Sequence, residues 1–128
     1  MAKQVIVTRH AAPIYYSQGI KTEQFIFVAG MVALENPDTG EKLKDVEAQT
    51  RQSLEFVKET LETAGSSLND VVSTTVYLTN RDDYPKMNEV YKAYFPKEPP
   101  ARATLIVAGL VRPEMLVEIQ CIACCSSK

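Results

Sequence analysis

Apolar and polar positions alternate with a two-residue period in several short stretches of the chain, which is the pattern of β-strands with one buried face. Residues 4–8 form a short β-prone run, and residues 25–29 form a wholly apolar run bounded by polar residues and Gly30, which also predicts a strand. The β-branched run at residues 70–79 predicts a further strand. Residues 102–108 and 116–123 complete the set. The pattern predicts a sheet of about five or six strands.

Two other segments carry apolar residues at three- and four-residue spacing, which predicts amphipathic helices. The first follows Asp45, which can cap it, and stops at Gly65, which accepts the positive φ of a helix C-terminus. The second spans residues 83–94 and ends before Pro96, because proline cannot continue a helix. The apolar stripes are Val46, Thr50, Leu54, Val57, Leu61 and Ala64 in the first helix, and Tyr84, Met87, Val90, Tyr91 and Tyr94 in the second.

The order of these elements predicts a single α+β domain over residues 1–128, with a mixed β-sheet and both helices on one face. Two helices cover only one face of such a sheet. The strands at residues 25–29 and 70–79 nevertheless carry apolar residues at both parities. We therefore expect copies of the chain to associate through the second face, with a sheet that curls on itself as the alternative.

Charge and composition narrow the range of partners. Hydrophobic residues make up 45% of the chain and charged residues 23%, which is ordinary for a globular protein. No apolar run approaches the roughly 20 residues of a membrane helix, and residues 1–10 lack the pattern of a signal peptide, so a cytoplasmic location is expected. The net charge of −2 indicates no strong basic field, so nucleic acid is not expected as a partner. Because no apolar run is long enough to span a membrane, a membrane is not expected as a partner either.

The cysteines and the single histidine do not form a recognisable site. Cys121, Cys124 and Cys125 crowd the end of the chain, an odd number at short spacing that makes a poor disulfide framework. Cys121 and Cys124 have C-x-x-C spacing, but their segment alternates like a strand, and residues three apart on a strand point to opposite faces. His10 has no ligand partner nearby in the sequence and is predicted to be a surface or strand-end residue. No metal or other cofactor is expected.

The last two strands carry polar side chains on one parity. Arg102 and Thr104 share a face of one strand, and Glu118 and Gln120 share a face of the other. Arginine is a natural anchor for a carboxylate, because its planar fork donates two parallel hydrogen bonds. A glutamate on a neighbouring strand could pair with that arginine or act on a water as a general base. Spacing alone leaves both open, and a solvated surface pair is the commoner arrangement.

Several strings of the sequence, in the right order, resemble the RidA/YjgF family, which also carries the name L-PSP endoribonuclease. The most diagnostic is Pro-Ala-Arg-Ala-Thr at residues 100–104, followed by Val-Glu-Ile-Gln-Cys-Ile-Ala at residues 117–123. Residues 49–55, 70–78 and 87–91 also resemble the family. The resemblance covers essentially the whole chain.

This resemblance implies a chorismate-mutase-like fold and a homotrimer, with a central β-barrel and active sites between subunits. It also implies hydrolytic deamination of reactive 2-enamines and 2-imines, such as 2-aminoacrylate, to 2-keto acids and ammonia, without a cofactor. By position, Arg102 would bind the substrate carboxylate and Glu118 would position the attacking water. The remaining residues expected to bind substrate are Tyr16, Gly30, Asn88 and Thr104.

The chain departs from the family pattern at residues 29–31, where Ala-Gly-Met replaces the usual Ser-Gly-Gln. The change removes a hydroxyl and an amide, so we expect a more apolar cleft and a larger or different imino acid. Two other functions stay open. A trimer that binds 2-keto acids without turnover would use the same arginine, whereas a ribonuclease or translation inhibitor is disfavoured by the net charge.

Overall fold

The computed structural model describes residues 2–10 and 15–126. It contains one six-stranded sheet with two α-helices on one face, so the predicted α+β class is confirmed. Short 3-10 turns precede the fourth strand and the second helix. In chain order the elements are β1 (Gln4–Ile6), β2 (Gly19–Lys21), β3 (Phe25–Met31), α1 (Val46–Thr63), β4 (Val71–Leu78), α2 (Tyr84–Tyr94), β5 (Ala101–Ile106) and β6 (Val117–Cys124).

The strands lie in the order β1-β2-β3-β6-β4-β5. All neighbouring pairs are antiparallel except β4 and β5, which are parallel because α2 provides the crossover between them. The last strand of the chain, β6, therefore lies inside the sheet, while β5 forms one edge. Strand β2 was not predicted, because three residues are too few to show a period.

Helix α1 forms where its end signals predict. The Asp45 carboxylate accepts a hydrogen bond from the Ala48 backbone N–H at 2.8 Å. The helix ends at Thr63 with Ala64 as its C-cap, and Gly65 follows with a φ of 83°. Thr50, the one polar member of the predicted stripe, is fully buried, and its hydroxyl has no partner in the part of the chain that the structure describes.

The hydrophobic core lies between the helices and the inner face of the sheet. Burial of each large side chain there contributes about 1.5–3 kcal/mol. No helix among the described residues is long and apolar enough to cross a membrane. The largest fully buried side chains include Ile26, Leu54, Leu61, Leu78, Met87 and Ile119.

The opposite face of the sheet, here called the open face, has no helix over it. The predicted second apolar face is confirmed, and the sheet does not curl to bury it, since β1 and β5 are separate edges. Phe27 is 44% exposed and Leu105 is 43% exposed. Coverage of this face by further copies of the chain stays a prediction. Its apolar side chains are Val5, Ile20, Phe25, Phe27, Leu105 and Ile122.

The cysteines lie as their alternation predicts. Cys121 is buried on the inner face of β6, and Cys124 pairs with Phe25 on the open face. All three thiols are free. Within residues 2–10 and 15–126, no group of three or more His, Cys, Asp or Glu side chains is arranged so that it could hold a metal ion.

Candidate functional site

Arg102 lies on the edge strand β5 with its side chain towards α2. It is level with Thr74 of β4, whose hydroxyl is 2.8 Å from the Tyr91 hydroxyl. The guanidinium carbon lies 4.7 Å from the centroid of the Tyr91 ring, and Nη2 donates a hydrogen bond to the Tyr84 hydroxyl at 3.2 Å. Two aromatic side chains of α2 therefore orient the guanidinium.

The Arg102 side chain borders a cavity of about 430 Å³. No carboxylate in the described part of the chain lies within ion-pair distance of this guanidinium. An oriented guanidinium without a carboxylate partner is suited to bind an anion. The other residues around the cavity are Asn88, Tyr91, Lys92, Phe95, Pro99 and Pro100.

Asn88 stands one helical turn after Tyr84 on α2, so the two side chains lie on the same face. The Asn88 amide, and next the positive charge of Arg102, lower the pKa of the Tyr84 hydroxyl. We call Tyr84, Asn88, Tyr91 and Arg102 the arginine half-site. Thr104 lies on the same face of β5 but does not line this cavity.

Glu118 lies in the interior strand β6 with its side chain on the open face, opposite Tyr77 of β4. The carboxylate lies against Gly30 of β3, where an added Cβ would overlap it. Gly30 falls where the β3–β6 register shifts, between Val28 and Met31. Only a residue without a side chain leaves room for the Glu118 carboxylate in this position.

Burial raises the pKa of the Glu118 carboxyl above its usual value, because desolvation disfavours the charged form. Beside Gly30 lies a second cavity, of about 210 Å³, which Tyr16 also lines. Glu118 lies against Gly30 but does not line this cavity. We call Tyr16, Gly30 and Glu118, which Gly30 connects, the glutamate half-site. The remaining residues around the second cavity are His10, Gln18, Met31, Val32 and Phe56.

The two half-sites do not meet within one chain. Strand β4 lies between β5 and β6, so the pairing of Arg102 with Glu118 on neighbouring strands was wrong. Parity shows which residues share a face but not which strands are neighbours. Arg102 points towards α2 and Glu118 lies on the open face, so their side chains are on opposite faces of the sheet. A site that uses both therefore needs a second copy of the chain.

His10 is not the solitary side chain that the sequence predicted. Its Nδ1 lies 3.0 Å from Glu59 Oε1, and its Nε2 lies 3.4 Å from Asp38 Oδ1. The side chain is only 18% exposed. Its partners are 49 and 28 residues away along the chain, so no local pattern could have indicated them.

Comparison with known proteins agrees with the fold. The sequence profile of the family described as Endoribonuclease L-PSP matches residues 8–125. A RutC family protein of Pyrococcus abyssi is 49% identical over 126 residues, which cover 96% of this chain and 98% of that protein. The 3-aminoacrylate deaminase RutC of Acinetobacter baylyi is 38% identical over 125 residues, covering 96% of this chain and 98% of that protein.

Among solved structures, the YjgF gene product of E. coli superposes with a TM-score of 0.87 at 37% sequence identity, covering 94% of this chain and 98% of that one. The chain thus has the fold of the YjgF proteins, with two helices packed on one face of a single β-sheet. It belongs to the RidA/L-PSP endoribonuclease family, as the strings in its sequence implied.

Proposed function

We propose that this protein hydrolyses reactive 2-enamines and 2-imines to 2-keto acids and ammonia. The observation that carries the proposal is the Arg102 guanidinium, which aromatic side chains orient beside a cavity and which has no carboxylate partner in the described ranges. A substrate carboxylate is a suitable ligand for it. The family relative from Acinetobacter baylyi, named a 3-aminoacrylate deaminase, supports a deaminase.

In this reaction Arg102 holds the carboxylate and so fixes the position of the imine carbon. Glu118 accepts a proton from a water that attacks this carbon, and a new C–O bond forms. That proton and then the hydroxyl proton of the tetrahedral intermediate pass to the nitrogen. The C–N bond breaks as the C=O bond forms, and ammonia leaves a 2-keto acid behind. One imine and one water are consumed. Because the imine carbon is already electrophilic, orientation of the two reactants supplies much of the acceleration.

The raised pKa of Glu118 suits this role. A general base is most effective when its pKa approaches the working pH, because it then accepts a proton readily and also returns it. Activity is expected to rise with pH as Glu118 loses its proton, at a pH above the ordinary carboxyl range.

Turnover of a freshly generated imine tests the proposal. An amino-acid oxidase would supply 2-imino acids, semicarbazide would trap them, and keto-acid release would be followed with and without the protein. Acceleration supports a deaminase. Binding of 2-keto acids without any acceleration would favour the non-catalytic binding trimer instead.

Because Met31 and Val32 line the second cavity, a bulky aliphatic imino acid should be preferred to 2-iminopropanoate. The reverse preference would contradict this expectation.

We further propose that the active form is a homotrimer built through the open face, with each cleft made from the arginine half-site of one copy and the glutamate half-site of another. The exposed apolar side chains of the open face support this assembly. The native mass should be three times the chain mass. A fully active monomer would contradict the proposal.

Mixed assemblies test the shared cleft directly. Arg102→Ala and Glu118→Gln chains, each nearly inactive alone, should regain activity when they are unfolded together and refolded in equal amounts. Random mixing gives an intact arginine half-site opposite an intact glutamate half-site in about one quarter of the clefts. Refolding each variant alone is the control. No recovery from mixtures of confirmed composition would contradict a cleft shared between copies.

Gly30→Ala is expected to lower kcat/KM by about 10- to 100-fold, because the new methyl group would displace the Glu118 carboxylate. Binding of a 2-keto acid to the arginine half-site should weaken much less. Steady-state kinetics and calorimetric binding check both points. Gly109→Ala is the matched control, since a Cβ there would meet nothing within 4 Å. Unchanged turnover in a folded Gly30→Ala protein would mean that the position of Glu118 is unimportant.

A further inference from the structure

The hydroxyl oxygen of Tyr84 faces two hydrogen-bond donors of the arginine half-site. Arg102 Nη2 donates to this oxygen at 3.2 Å. The Asn88 amide, one helical turn further along α2, lowers the pKa of the same hydroxyl, which is the effect of a donor on its oxygen. A hydroxyl oxygen has two lone pairs, so these two donors can occupy both. The Tyr84 proton therefore needs an acceptor of its own.

That acceptor is not one of the two neighbours. A guanidinium carries five N–H donors and no acceptor atom, so Arg102 cannot take the proton. Asn88 presents the donor side of its amide, since it lowers the pKa of Tyr84. In the part of the chain that the structure describes, Tyr84 donates to no other side chain or carbonyl. The residue is 42% exposed, so its O–H can reach a ligand.

Tyr91, the second tyrosine of the arginine half-site, is not available in this way. Its side chain is buried, and its hydroxyl lies 2.8 Å from the Thr74 hydroxyl, so the two hydroxyls serve each other. Tyr91 contributes its ring, which lies beneath the guanidinium of Arg102. Only Tyr84 adds a donor that no other described residue uses.

The backbone on both sides of Tyr84 is fixed. The 3-10 turn at Arg81–Asp83 precedes it, and the Asn80 side chain accepts a hydrogen bond from the Asp82 N–H at 2.9 Å in this turn. Pro85 follows in the first turn of α2, where the preset φ of proline fits a helix. The Tyr84 hydroxyl is therefore held beside Arg102 before a ligand arrives, which lowers the entropic cost of binding.

We propose that Tyr84 is a second ligand-binding residue of the arginine half-site, whose O–H donates to the same carboxylate that Arg102 binds. This rests on the proposed function, because it takes the ligand of the half-site to be a carboxylate. Tyr84 Oη and Arg102 Nη2 are 3.2 Å apart, so both donors can reach one carboxylate group. The half-site then offers donors only, which favours a free acid over its amide, whose own N–H groups would find no acceptor there.

A purely indirect role is the alternative, in which Tyr84 only holds the guanidinium in place. The two roles differ once the guanidinium is removed. A bond from Tyr84 to the ligand survives the loss of Arg102, whereas an effect that passes through Arg102 disappears with it. A double-mutant cycle therefore separates them.

Binding of 2-ketobutyrate measures the contact without requiring turnover. Tyr84→Phe keeps the ring beside Arg102 and removes only the hydroxyl, so the calorimetric Kd is expected to rise about 10-fold. Tyr94→Phe is the matched control: the same change on the same helix removes a hydroxyl that donates to Glu55 at 2.7 Å, and Kd should not change. A wild-type Kd in Tyr84→Phe would overturn the proposal.

The same substitution in an Arg102→Ala protein decides between the direct and the indirect role. With a direct bond, Tyr84→Phe should weaken binding by at least about threefold more, because the phenol proton still meets the carboxylate. Titration followed by NMR measures Kd values in this weak range. If the double variant binds no more weakly than Arg102→Ala, Tyr84 acts only through Arg102 and the proposal is wrong.

Kinetics supply a further readout. The carboxylate is bound in the substrate and in the transition state alike, so Tyr84→Phe should raise KM for an imine as much as it raises Kd and leave kcat within about twofold. A loss confined to kcat would place Tyr84 at the reacting atoms and contradict the proposal.

These outcomes can be separated from those of the proposed function. A wild-type protein that binds 2-ketobutyrate but hydrolyses no imine would refute the deaminase, while the Kd values would still decide the role of Tyr84. An unchanged Kd in Tyr84→Phe would refute the role of Tyr84 and leave the deaminase standing. A wild-type protein that binds no 2-keto acid would contradict both.

Discussion

Arg102→Ala is expected to lower kcat/KM for imine hydrolysis by about 100-fold, equivalent to about 3 kcal/mol, the usual cost of removing one partner of a charge-assisted pair. Most of the loss should appear as a higher KM, because the carboxylate is held in the substrate and in the transition state alike. Steady-state kinetics with imines generated in situ would measure both constants.

Two further variants sharpen this test. Arg102→Lys keeps the charge but loses the planar fork that Tyr84 and Tyr91 orient, so an intermediate loss is expected. Arg51→Ala, on the exposed surface of α1, should leave kcat/KM unchanged. An Arg102→Ala protein with wild-type KM would show that the carboxylate binds elsewhere.

Glu118→Gln is expected to lower kcat by about 10²- to 10⁴-fold, the usual contribution of a general base. The amide has nearly the same shape as the carboxylate, so it still fits against Gly30 and binding of 2-keto acids should persist. Calorimetric binding beside kinetics separates loss of chemistry from loss of the site. Equal losses in kcat and in keto-acid affinity would point to a binding role for Glu118.

The same substitution should stabilise the protein at neutral pH. Burial raises the pKa of Glu118 in the folded chain, so its ionisation is harder there than in the unfolded chain. Its contribution to stability is full below the unfolded carboxyl pKa of about 4.3 and is lost as the pH rises through the raised value. Glu118→Gln should therefore melt higher than wild type near pH 7 and alike near pH 4. Glu114→Gln, an exposed change, should show no such difference.

Local sequence signals were sufficient to predict α1 and β4. Asp45 and Gly65 marked both ends of α1, and the β-branched run marked β4. Strand β2 was not predicted, because three residues are too few to show an alternating pattern. The position of β6 between β3 and β4 was also beyond reach, since strand order depends on contacts between distant residues.

Some residues of the candidate site could likewise be predicted from the sequence, and others could not. Arg102 could be singled out because the chemistry of its side chain and the string around it both indicate a carboxylate anchor. The alternation along β5 does not show that Arg102 faces α2. That placement depends on the crossover between β4 and β5, which an alternation of period two does not encode. His10 gave no signal at all, because Asp38 and Glu59 come close to it only after folding.

The uncovered open face also makes protein concentration a thermodynamic variable. A lone chain leaves Phe27 and Leu105 in water, so its free energy of unfolding lacks the share that association would add. If the clefts are shared between copies, dilution would dissociate the assembly. Dissociation would lower the melting temperature and abolish turnover over the same range of protein concentration, which mass action sets. Folding stability and catalytic activity would then both depend on the same association equilibrium.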